Sequence, residues 1–332
     1  MHAKKLYGPV VALGLALALL AVLVTSNLGC GGHHTSLATA PRDSCTTCGT
    51  NGQLVYPARQ QSPDWSALGY LAYRDLGVVC LLRGGGTLVD ARLAGLWVMS
   101  PDLATTRRVS PYGDHPSWSP DGRRLAFDEG NSIRVLDTTD GTVTTLTNSV
   151  ASFSPRWSRD GGRIAYEGMS QSPSAHSVWT MRSDGALQEL IGDGFDPDWG
   201  PSDSSLCYVR WKSGSADVSI VRRSMRTGST IELFHGPGIR WPRVSPDGRS
   251  IAFAMKQSGV ARIFRIAVDG TGLEQLASRT SMQPAWAPDG LHVAFADVLA
   301  DSADSTRGVI WSLDLRSREL TQLTHAWPRH CP

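Results

Sequence analysis

The sequence has almost no net charge and few charged residues. Its 332 residues include 32 Lys and Arg against 30 Asp and Glu, which gives a formal net charge of +2. Proteins that bind nucleic acid usually carry a concentrated basic face, so this balance predicts no nucleic-acid partner. Only 19% of the residues are charged whereas 41% are hydrophobic, and this composition excludes an intrinsically disordered chain.

The sequence also lacks the signatures of several enzyme classes. It contains no G-x-S-x-G elbow of an α/β-hydrolase and no H-x-x-x-H pair for a metal hydrolase. A repeated Ser-Pro-Asp-Gly segment places glycine one residue too early for the S-x-D-x-G-x-x-W box of sialidases. We therefore assign no catalytic residue, no metal ligand and no cofactor, and we expect a protein that is not an enzyme. One alternative stays open, a polysaccharide lyase or hydrolase whose site is assembled from several repeats.

Long apolar runs are absent as well, except near the N-terminus. Residues 10–24 are uncharged and apolar, and they follow the basic pair Lys4 and Lys5. This is the pattern of a secretory signal, and the run is short for a membrane span, which needs roughly 20 residues. The sequence therefore predicts export from the cytoplasm.

The end of the signal resembles the lipobox of bacterial lipoproteins. Gly29 precedes Cys30, the residue that would become the lipidated N-terminus, so we predict a lipoprotein-type signal peptide over residues 1–29 and a lipid anchor at Cys30. Acyl chains would hold the protein at a membrane, in the periplasm or attached to the outer membrane. Two alternatives are cleavage at the A-x-A motif of residues 38–40 and an uncleaved anchor that begins near Leu6.

Cysteine is scarce, with six residues in the whole chain. Two of them, Cys45 and Cys48, form a C-x-x-C pair inside residues 30–62, which show no hydrophobic period and predict a flexible tether. No βαβ pattern surrounds the pair, as a thioredoxin-like motif would need, and Gly49 stands where haem attachment needs histidine. Zinc would need a second ligand pair, for which only His33 and His34 are near. We favour a local disulfide in an oxidising envelope.

From residue 63 onward the sequence repeats itself. Residues 116–127 read PSWSPDGRRLAF, residues 155–166 read PRWSRDGGRIAY, and residues 284–295 read PAWAPDGLHVAF. Weaker copies start at residues 63 and 197, and a sixth at residue 242 has valine in the tryptophan position. The aligned positions are Trp65, Trp118, Trp157, Trp199, Val244 and Trp286, with steps of 53, 39, 42, 45 and 42 residues. A near-constant period of this length indicates a repeat architecture.

Each repeat predicts four short strands. The P-x-W-S strand leads into an Asp-Gly turn, a strong hairpin signal, and then into an apolar-Ala-aromatic strand. A third strand alternates in polarity, as at residues 133–136, and a fourth follows a second turn, as at residues 143–147. One such sheet cannot bury both faces alone, but several around an axis pack on their neighbours. We therefore predict an all-β domain over residues 63–332, a six-bladed β-propeller of four-stranded antiparallel blades.

Two details of the ring stay open. Seven blades would be possible if residues 80–100 contained another unit, because the first step is longer than the others. Residues 327–332 resemble the strand start at residues 241–246 and could close the ring against the first blade. Cys80 and Cys331 lie in the first blade and at the closing end, and a disulfide between them would staple the ring.

The repeated P-x-W-S-P-D-G-x-x-I-A-F pattern resembles the WD40-like repeat of the TolB-like family of bacterial envelope propellers. The resemblance covers residues 63–324 and implies the propeller fold and a periplasmic setting. Propellers of this kind serve as docking platforms, as sensor domains and as non-catalytic halves of peptidases. TolB itself has an additional α/β domain before its propeller, for which residues 31–62 are too few.

Most tryptophans have a structural interpretation on this fold. Eight of the 11 occupy two repeated positions, which predicts packing between blades: Trp65, Trp118, Trp157, Trp199 and Trp286 in one, and Trp97, Trp179 and Trp311 in the other. Cys207 stands where the other repeats have alanine, which predicts a small buried residue and not a nucleophile.

The polar segments around the inner strands are the candidates for recognition, because binding residues usually lie on loops of a rigid scaffold. They contain the predicted binding rim: Asp114, His115, Asp196, Asp198, Arg240 and Arg243. We expect a non-catalytic propeller of the cell envelope that binds an envelope protein, a peptide or a glycan through this rim.

Overall fold

The structure is a computed structural model that describes residues 54–56, 60–76, 78–81, 87–90, 94–148, 151–169, 176–211, 217–297 and 308–324. Strands make up the regular structure of these ranges, together with a single 3-10 turn, Pro201–Asp203. No helix within the described residues is long and apolar enough to span a bilayer.

The strands form six four-stranded sheets, which are the predicted blades. The chain starts with β1 (Leu54–Tyr56). Blade 1 contains β2 (Gln60–Trp65), β3 (Leu71–Asp75), β6 (Gly95–Met99) and β7 (Thr106–Ser110), with β4 (Val78–Leu81) and β5 (Thr87–Asp90) inserted between its second and third strands. Blade 2 contains β8 (Asp114–Trp118), β9 (Arg124–Glu129), β10 (Ser132–Asp137) and β11 (Val143–Thr145). Blade 3 contains β12 (Ala151–Trp157), β13 (Arg163–Met169), β14 (His176–Arg182) and β15 (Glu189–Asp193).

The other three blades follow the same plan. Blade 4 contains β16 (Phe195–Trp199), β17 (Ser205–Trp211), β18 (Asp217–Ser224) and β19 (Thr230–Pro237). Blade 5 contains β20 (Arg240–Val244), β21 (Ser250–Gln257), β22 (Val260–Ala267) and β23 (Glu274–Gln275). Blade 6 contains β24 (Ser281–Trp286), β25 (His292–Asp297), β26 (Ile310–Asp314) and β27 (Leu320–Gln322). Within every blade the strands pair antiparallel in chain order.

The six first strands, here called the inner strands, surround an axial channel. Each contacts the inner strand of the next blade, and β24 of blade 6 contacts β2 of blade 1, so the ring closes. The six-bladed prediction is therefore confirmed. The long first step of the repeat is explained by β4 and β5, which pair with β1 in a separate three-stranded sheet instead of forming a seventh blade. Residues 327–332, predicted to close the ring, lie outside the described residues.

The segment predicted as a tether contains more structure than expected at its end. Strand β1 and the first residues of β2 fall inside residues 30–62. Leu54, Val55 and Tyr56 are three consecutive residues that favour strands, and they pair with β4. The local sequence shows no turn signal or alternation, so only the partner strand from residue 78 onward reveals this element.

The Asp-Gly turns have the predicted role, with a side-chain clamp. In blade 2, the backbone N–H of Gly122 donates to the carbonyl of Ser119, and Asp121 accepts from both the Ser119 hydroxyl and the Arg123 N–H. Gly122 has φ of +69°, a conformation that glycine adopts without a steric penalty.

A bulge interrupts every inner strand at the proline of the repeat. The residue before each proline has a left-handed backbone, with φ between +47° and +55°, and the ladder skips both residues: Ser62, His115, Ser154, Asp196, Trp241 and Gln283 precede Pro63, Pro116, Pro155, Pro197, Pro242 and Pro284. Proline has no N–H for a ladder bond, so inside a strand it belongs at a bulge. The repeated proline therefore marks the bulge, which the sequence analysis did not predict.

The hydrophobic core lies between the blades, as six separate clusters. One blade contributes small residues and its neighbour contributes large ones: at the interface of blades 3 and 4, Ala165 and Val178 pack with Trp199, Leu206 and Tyr208. All eight tryptophans predicted for packing belong to these clusters, which confirms that interpretation. The cluster between blades 6 and 1 joins Ala294 and Ile310 to Leu71 and Tyr73, so the ring is closed by the same kind of contact.

Candidate binding site at the axial channel

The predicted rim residues fall at two different ends of the channel. Asp114, His115, Asp196 and Arg240 lie at or near the beginning of their inner strands, which we call the entrance end. Asp198 and Arg243 lie near the ends of theirs and line a pocket there, which we call the exit pocket. The rim is therefore two clusters, one toward each end of the inner strands.

The first entrance cluster surrounds His115. The guanidinium of Arg74 donates to Asp114, and the His115 Nδ1 lies 2.8 Å from an oxygen of Asp128. Burial lowers the pKa of the His115 imidazole, but the carboxylates of Asp114 and Asp128 outweigh that effect and raise the pKa to about 9. His115 is thus a cation at neutral pH. Asp128 also accepts the backbone N–H of Ser154 at 2.8 Å, which ties blade 2 to blade 3.

The second entrance cluster is centred on Asp196, which is fully buried. Arg240 of the next blade donates to both its oxygens, at 2.5 and 3.3 Å, and the backbone N–H of Trp241 donates at 3.0 Å. Burial raises the pKa of Asp196, but the guanidinium of Arg240 outweighs it and holds that pKa below its usual range. In the preceding blade Glu167 lies 2.5 Å from the Nδ1 of His176, and this contact raises the pKa of the imidazole above its usual value.

The entrance end therefore works as a set of clamps between blades. Each rim charge there is matched by an opposite charge within hydrogen-bonding distance, and several carboxylates also accept a backbone N–H at the bulge of the next blade. These contacts satisfy buried groups that would otherwise destabilise the ring. The arrangement accounts for four predicted rim residues without a ligand.

The exit pocket is a cavity of about 340 Å³ where the inner strands end. Its walls come from all six blades and consist mostly of repeat tryptophans, prolines of the turns and the residue before each repeat tryptophan or valine. The last group supplies one side chain per blade: Asp64, Ser117, Arg156, Asp198, Arg243 and Ala285. Arg159 is the remaining charged residue of the lining.

Three charged residues of the pocket have partners in the ring. Asp64 binds Arg156 across the channel at 2.6 Å and accepts the backbone N–H of Trp118 at 2.8 Å. Burial raises the pKa of Asp64 above its usual range, and the charges of Arg156 and Arg243 offset only part of that rise. Asp198 accepts the backbone N–H of Val244 at 2.8 Å.

Arg243 differs from these residues. It is 7% exposed, and its Nη1 donates to the carbonyl of Pro242 at 2.9 Å. Its buried Nε has no hydrogen-bond partner, and among the described residues no carboxylate forms an ion pair with it. Burial and the like charge of Arg156 lower the pKa of Arg243 to about 10, although the more distant charges of Asp198, Asp196 and Asp64 offset part of that fall. It is therefore a buried cation with unused donors in the wall of a cavity.

Asp198 and Arg243 were among the predicted rim residues, but the exit pocket itself was not predicted from the sequence. Asp64 and Arg156 were not singled out, because each reads locally as a polar residue beside a tryptophan. The signal is present in the repeat alignment: the position before the tryptophan is charged in four of six copies. When the six repeats are aligned, the residues at this position are predicted to lie at one common place along the channel axis.

The predictions for the cysteines and for a metal site can be compared with the structure in the same way. Cys207 is fully buried between blades 4 and 5, as expected, and burial raises the pKa of its thiol to about 12. Cys30, Cys45 and Cys48 lie outside the described residues. Cys80 is part of β4, but Cys331 is outside that region, so their disulfide stays a prediction. Among the described residues no group of three or more His, Cys, Asp or Glu side chains could hold a metal ion.

Comparisons with known proteins agree with this architecture. No protein-family model matches the chain. An uncharacterized protein of Agrobacterium fabrum, Atu1656, is 27% identical over 216 residues, which cover 60% of this chain and 70% of that protein. A putative TolB of Agrobacterium tumefaciens superimposes with a TM-score of 0.60 at 21% identity, over 69% of this chain and 88% of that one. TolB of Acinetobacter baumannii gives 0.59 at 15% identity, over 83% and 80%.

The chain has a TolB-like propeller fold. The same fold also carries enzymes: an oligogalacturonate lyase in complex with manganese superimposes with a TM-score of 0.50 at 14% identity, over 73% of this chain and 87% of the lyase. A shared fold does not assign a shared activity. Function has to be argued from the side chains of the channel.

Proposed function

We propose that this protein is an exported, non-catalytic TolB-like propeller of the bacterial cell envelope that binds a peptide segment of a partner protein in the exit pocket. The observation that supports this is the pocket, a cavity of about 340 Å³ lined by tryptophans, prolines and a few charged groups. Concave, largely apolar sites with a small number of polar groups are where proteins bind ligands.

The exposure of the tryptophans favours a peptide over a glycan. A sugar ring binds well against an open aromatic face, but Trp118, Trp157 and Trp199 are only 7%, 6% and 2% exposed. Arg124 and Arg163 cover the rings of Trp157 and Trp199, each at 4.6 Å from the ring centre. The pocket thus offers two half-buried tryptophans, Trp65 and Trp286, beside prolines and charged groups, which suit an extended peptide.

The titratable groups of the entrance end and the thiol of Cys207 favour binding over catalysis. General acid-base chemistry needs a group that is within reach of the substrate and able to exchange a proton near the working pH. At the entrance end the carboxylates of Asp114 and Asp196 are held as anions by Arg74 and Arg240. The thiol of Cys207 is fully buried, and its pKa of about 12 makes it a poor nucleophile.

Selection of peptides on the full chain tests the proposal. We expect a displayed random-peptide library to yield peptides that bind wild-type protein but not Ala67→Trp, because Ala67 is exposed at the pocket and a large side chain there obstructs it. The matched control is Ala104→Trp, an equally exposed alanine of blade 1 outside the pocket lining, which should bind normally. Failure to select any peptide, or equal binding by both variants, would overturn the assignment.

The alternative is a propeller lyase or hydrolase acting on an acidic polysaccharide. The observation in its favour is that Arg156 and Arg243 could hold the carboxylate of a uronate, and a lyase shares the fold. Incubation with oligogalacturonate and other polysaccharides separates the two functions. The binding role predicts no products, whereas turnover that is lost in Ala67→Trp would support the enzyme.

We also propose that Cys30 carries the lipid anchor. Two acyl signals are needed for stable attachment to a membrane, and lipoprotein processing at a cysteine supplies them. Metabolic labelling with a fatty acid should mark the wild-type protein and not Cys30→Ser, which should accumulate as unprocessed precursor. Labelling that is unchanged in the variant would contradict the anchor without affecting the binding site.

A further inference from the structure

The exit pocket carries an excess of positive charge. Three arginines line it, Arg156, Arg159 and Arg243, against the two aspartates Asp64 and Asp198. Arg159 reaches from blade 3 to backbone carbonyls of blade 5, at 3.0 Å from that of Ser245, and is held there by carbonyls alone. One positive charge of the lining is therefore not balanced by the lining itself.

Among the three arginines, Arg243 is the one for which the unbalanced positive charge destabilises the folded protein most. A guanidinium has five N–H donors, and in Arg243 one of them is used by the carbonyl of Pro242. Buried charges are normally paired, because an ion that loses its hydration without gaining a partner destabilises the folded state. The arrangement is stabilised when an anion enters the cavity.

The position of Arg156 narrows the kind of anion. Arg156 and Arg243 belong to blades 3 and 5, both line the cavity, and Asp64 forms its ion pair with Arg156. A planar carboxylate matches the fork of a guanidinium with two parallel hydrogen bonds. A doubly charged group such as phosphate fits less well, because Asp64 and Asp198 stand in the same ring and the lining has one charge in excess.

We infer that the exit pocket is a carboxylate site in which Arg243, with Arg156 beside it, binds a carboxylate of the partner peptide. The inference rests on the proposed function, since it names the chemistry of the peptide segment. It also predicts that bound peptides are acidic or enter by their C-terminus, and that Arg243 is a positioning and specificity residue of the site.

Small probes test the site without the partner. Wild-type protein is titrated with N-acetylglycine, N-acetylglycinamide, N-acetylaspartate α-amide, in which only the side-chain carboxylate is free, and sulfate at constant ionic strength, with binding followed by calorimetry and by the shift in Tm. We expect binding of the carboxylate probes, none of the neutral amide and weaker binding of sulfate. The first and third probes separate a terminal carboxylate from a side-chain one. Equal effects of N-acetylglycine and N-acetylglycinamide would overturn the inference.

The decisive variant is Arg243→Gln, which keeps a polar side chain of similar length. It should weaken carboxylate binding about ten- to hundredfold, as expected for the loss of charge-assisted hydrogen bonds, while its folding stability stays equal to or above the wild type because an unpaired buried charge is removed. The matched control is Arg222→Gln, whose guanidinium also donates to a backbone carbonyl but lies outside the exit pocket. An equal loss of carboxylate binding in both variants would overturn the assignment of the site.

The same variants separate this inference from the proposed function. If library peptides bind the exit pocket but show no enrichment of acidic or C-terminal carboxylates, and bind Arg243→Gln as well as wild type, the carboxylate site is wrong and the peptide role stands. If N-acetylglycine binds and its binding depends on Arg243, while no peptide is selected, the carboxylate site stands and its ligand is not a peptide. A galacturonate probe that binds more tightly than any peptide would show that the bound carboxylate belongs to a sugar, and it would overturn the proposal of a peptide ligand.

Discussion

Gln283 of blade 6 binds Ser62 of blade 1 with both ends of its amide. The Oε1 accepts the backbone N–H of Ser62 at 2.9 Å, and the Nε2 donates to the Ser62 hydroxyl at 2.9 Å. Both residues occupy the bulge of an inner strand, 221 positions apart in the chain. A backbone bond from Gln60 to the carbonyl of Gly308 lies at the same junction. Blade 1 begins the ring and blade 6 ends it, so these bonds join the two ends of the ring.

Replacement of Gln283 tests this junction. We expect Gln283→Ala to lower the free energy of unfolding by about 1–3 kcal/mol, because it leaves the buried N–H of Ser62 without an acceptor. Urea denaturation gives the value, and Gln257→Ala, at an exposed site where the amide oxygen accepts from Arg262, is the control with a change of about 0.5 kcal/mol or less. A Gln283 variant as stable as the control would show that the junction does not depend on this amide.

The repeat tryptophans should be costly to truncate. Trp199 is 2% exposed, its Nε1 donates to the carbonyl of Arg156 at 3.0 Å, and its ring packs between blades 3 and 4. Trp199→Ala should lose about 3–5 kcal/mol through the cavity and the lost burial. Trp211 is 54% exposed and contacts Phe195, so Trp211→Ala should lose less than about 1.5 kcal/mol. Similar losses for both would contradict the inter-blade role of Trp199.

Cys207 should tolerate a smaller residue and reject a larger one. Five other blades have a fully buried alanine in this position: Ala72, Ala126, Ala165, Ala252 and Ala294. Cys207→Ala should therefore change the free energy of unfolding by about 1 kcal/mol or less, whereas Cys207→Leu should lose about 1–3 kcal/mol through overpacking. Denaturation curves of the two variants measure the difference. A stable leucine variant would indicate unfilled space between blades 4 and 5.

The charged state of His115 should make stability depend on pH. Its pKa rises from 6.5 to about 9 on folding, because the carboxylates of Asp114, Asp128 and Asp196 outweigh the effect of burial. The native state therefore holds the proton more tightly than the unfolded state. The stabilisation is complete below pH 6.5 and is lost as pH rises through about 9, with a total on the order of 3 kcal/mol.

Urea denaturation between pH 6 and pH 10 measures this loss. His115→Gln should flatten the profile in that window, because the titrating group is gone. His292→Gln removes a half-exposed histidine of blade 6 and should leave the wild-type slope in place. A slope that survives in His115→Gln would assign the pH dependence to another group.

Much of the site was not readable from local sequence, and Asp64 and Arg156 show why. Each stands beside a tryptophan in its own strand, and nothing within a few residues distinguishes it from a solvated charge. The two are 92 positions apart, and their bond at 2.6 Å exists because blades 1 and 3 face the same channel. The predicted rim was placed on the loops that enter the inner strands, because loops often bind ligands. At that end of the channel the charged side chains pair with each other.

By itself, the sequence determined the repeat, the turns and the burial of the tryptophans, and it favoured six blades over seven. These follow from a period of about 40 residues, from alternation along strands and from Asp-Gly pairs, all of which are local or repeated signals. The tertiary structure decided which charges meet. Salt bridges and hydrogen bonds act over a few ångströms, and closing the ring brings residues from distant repeats within that range. The contrast between the paired charges of the entrance end and the unpaired guanidinium of Arg243 therefore arises only when six blades share one axis.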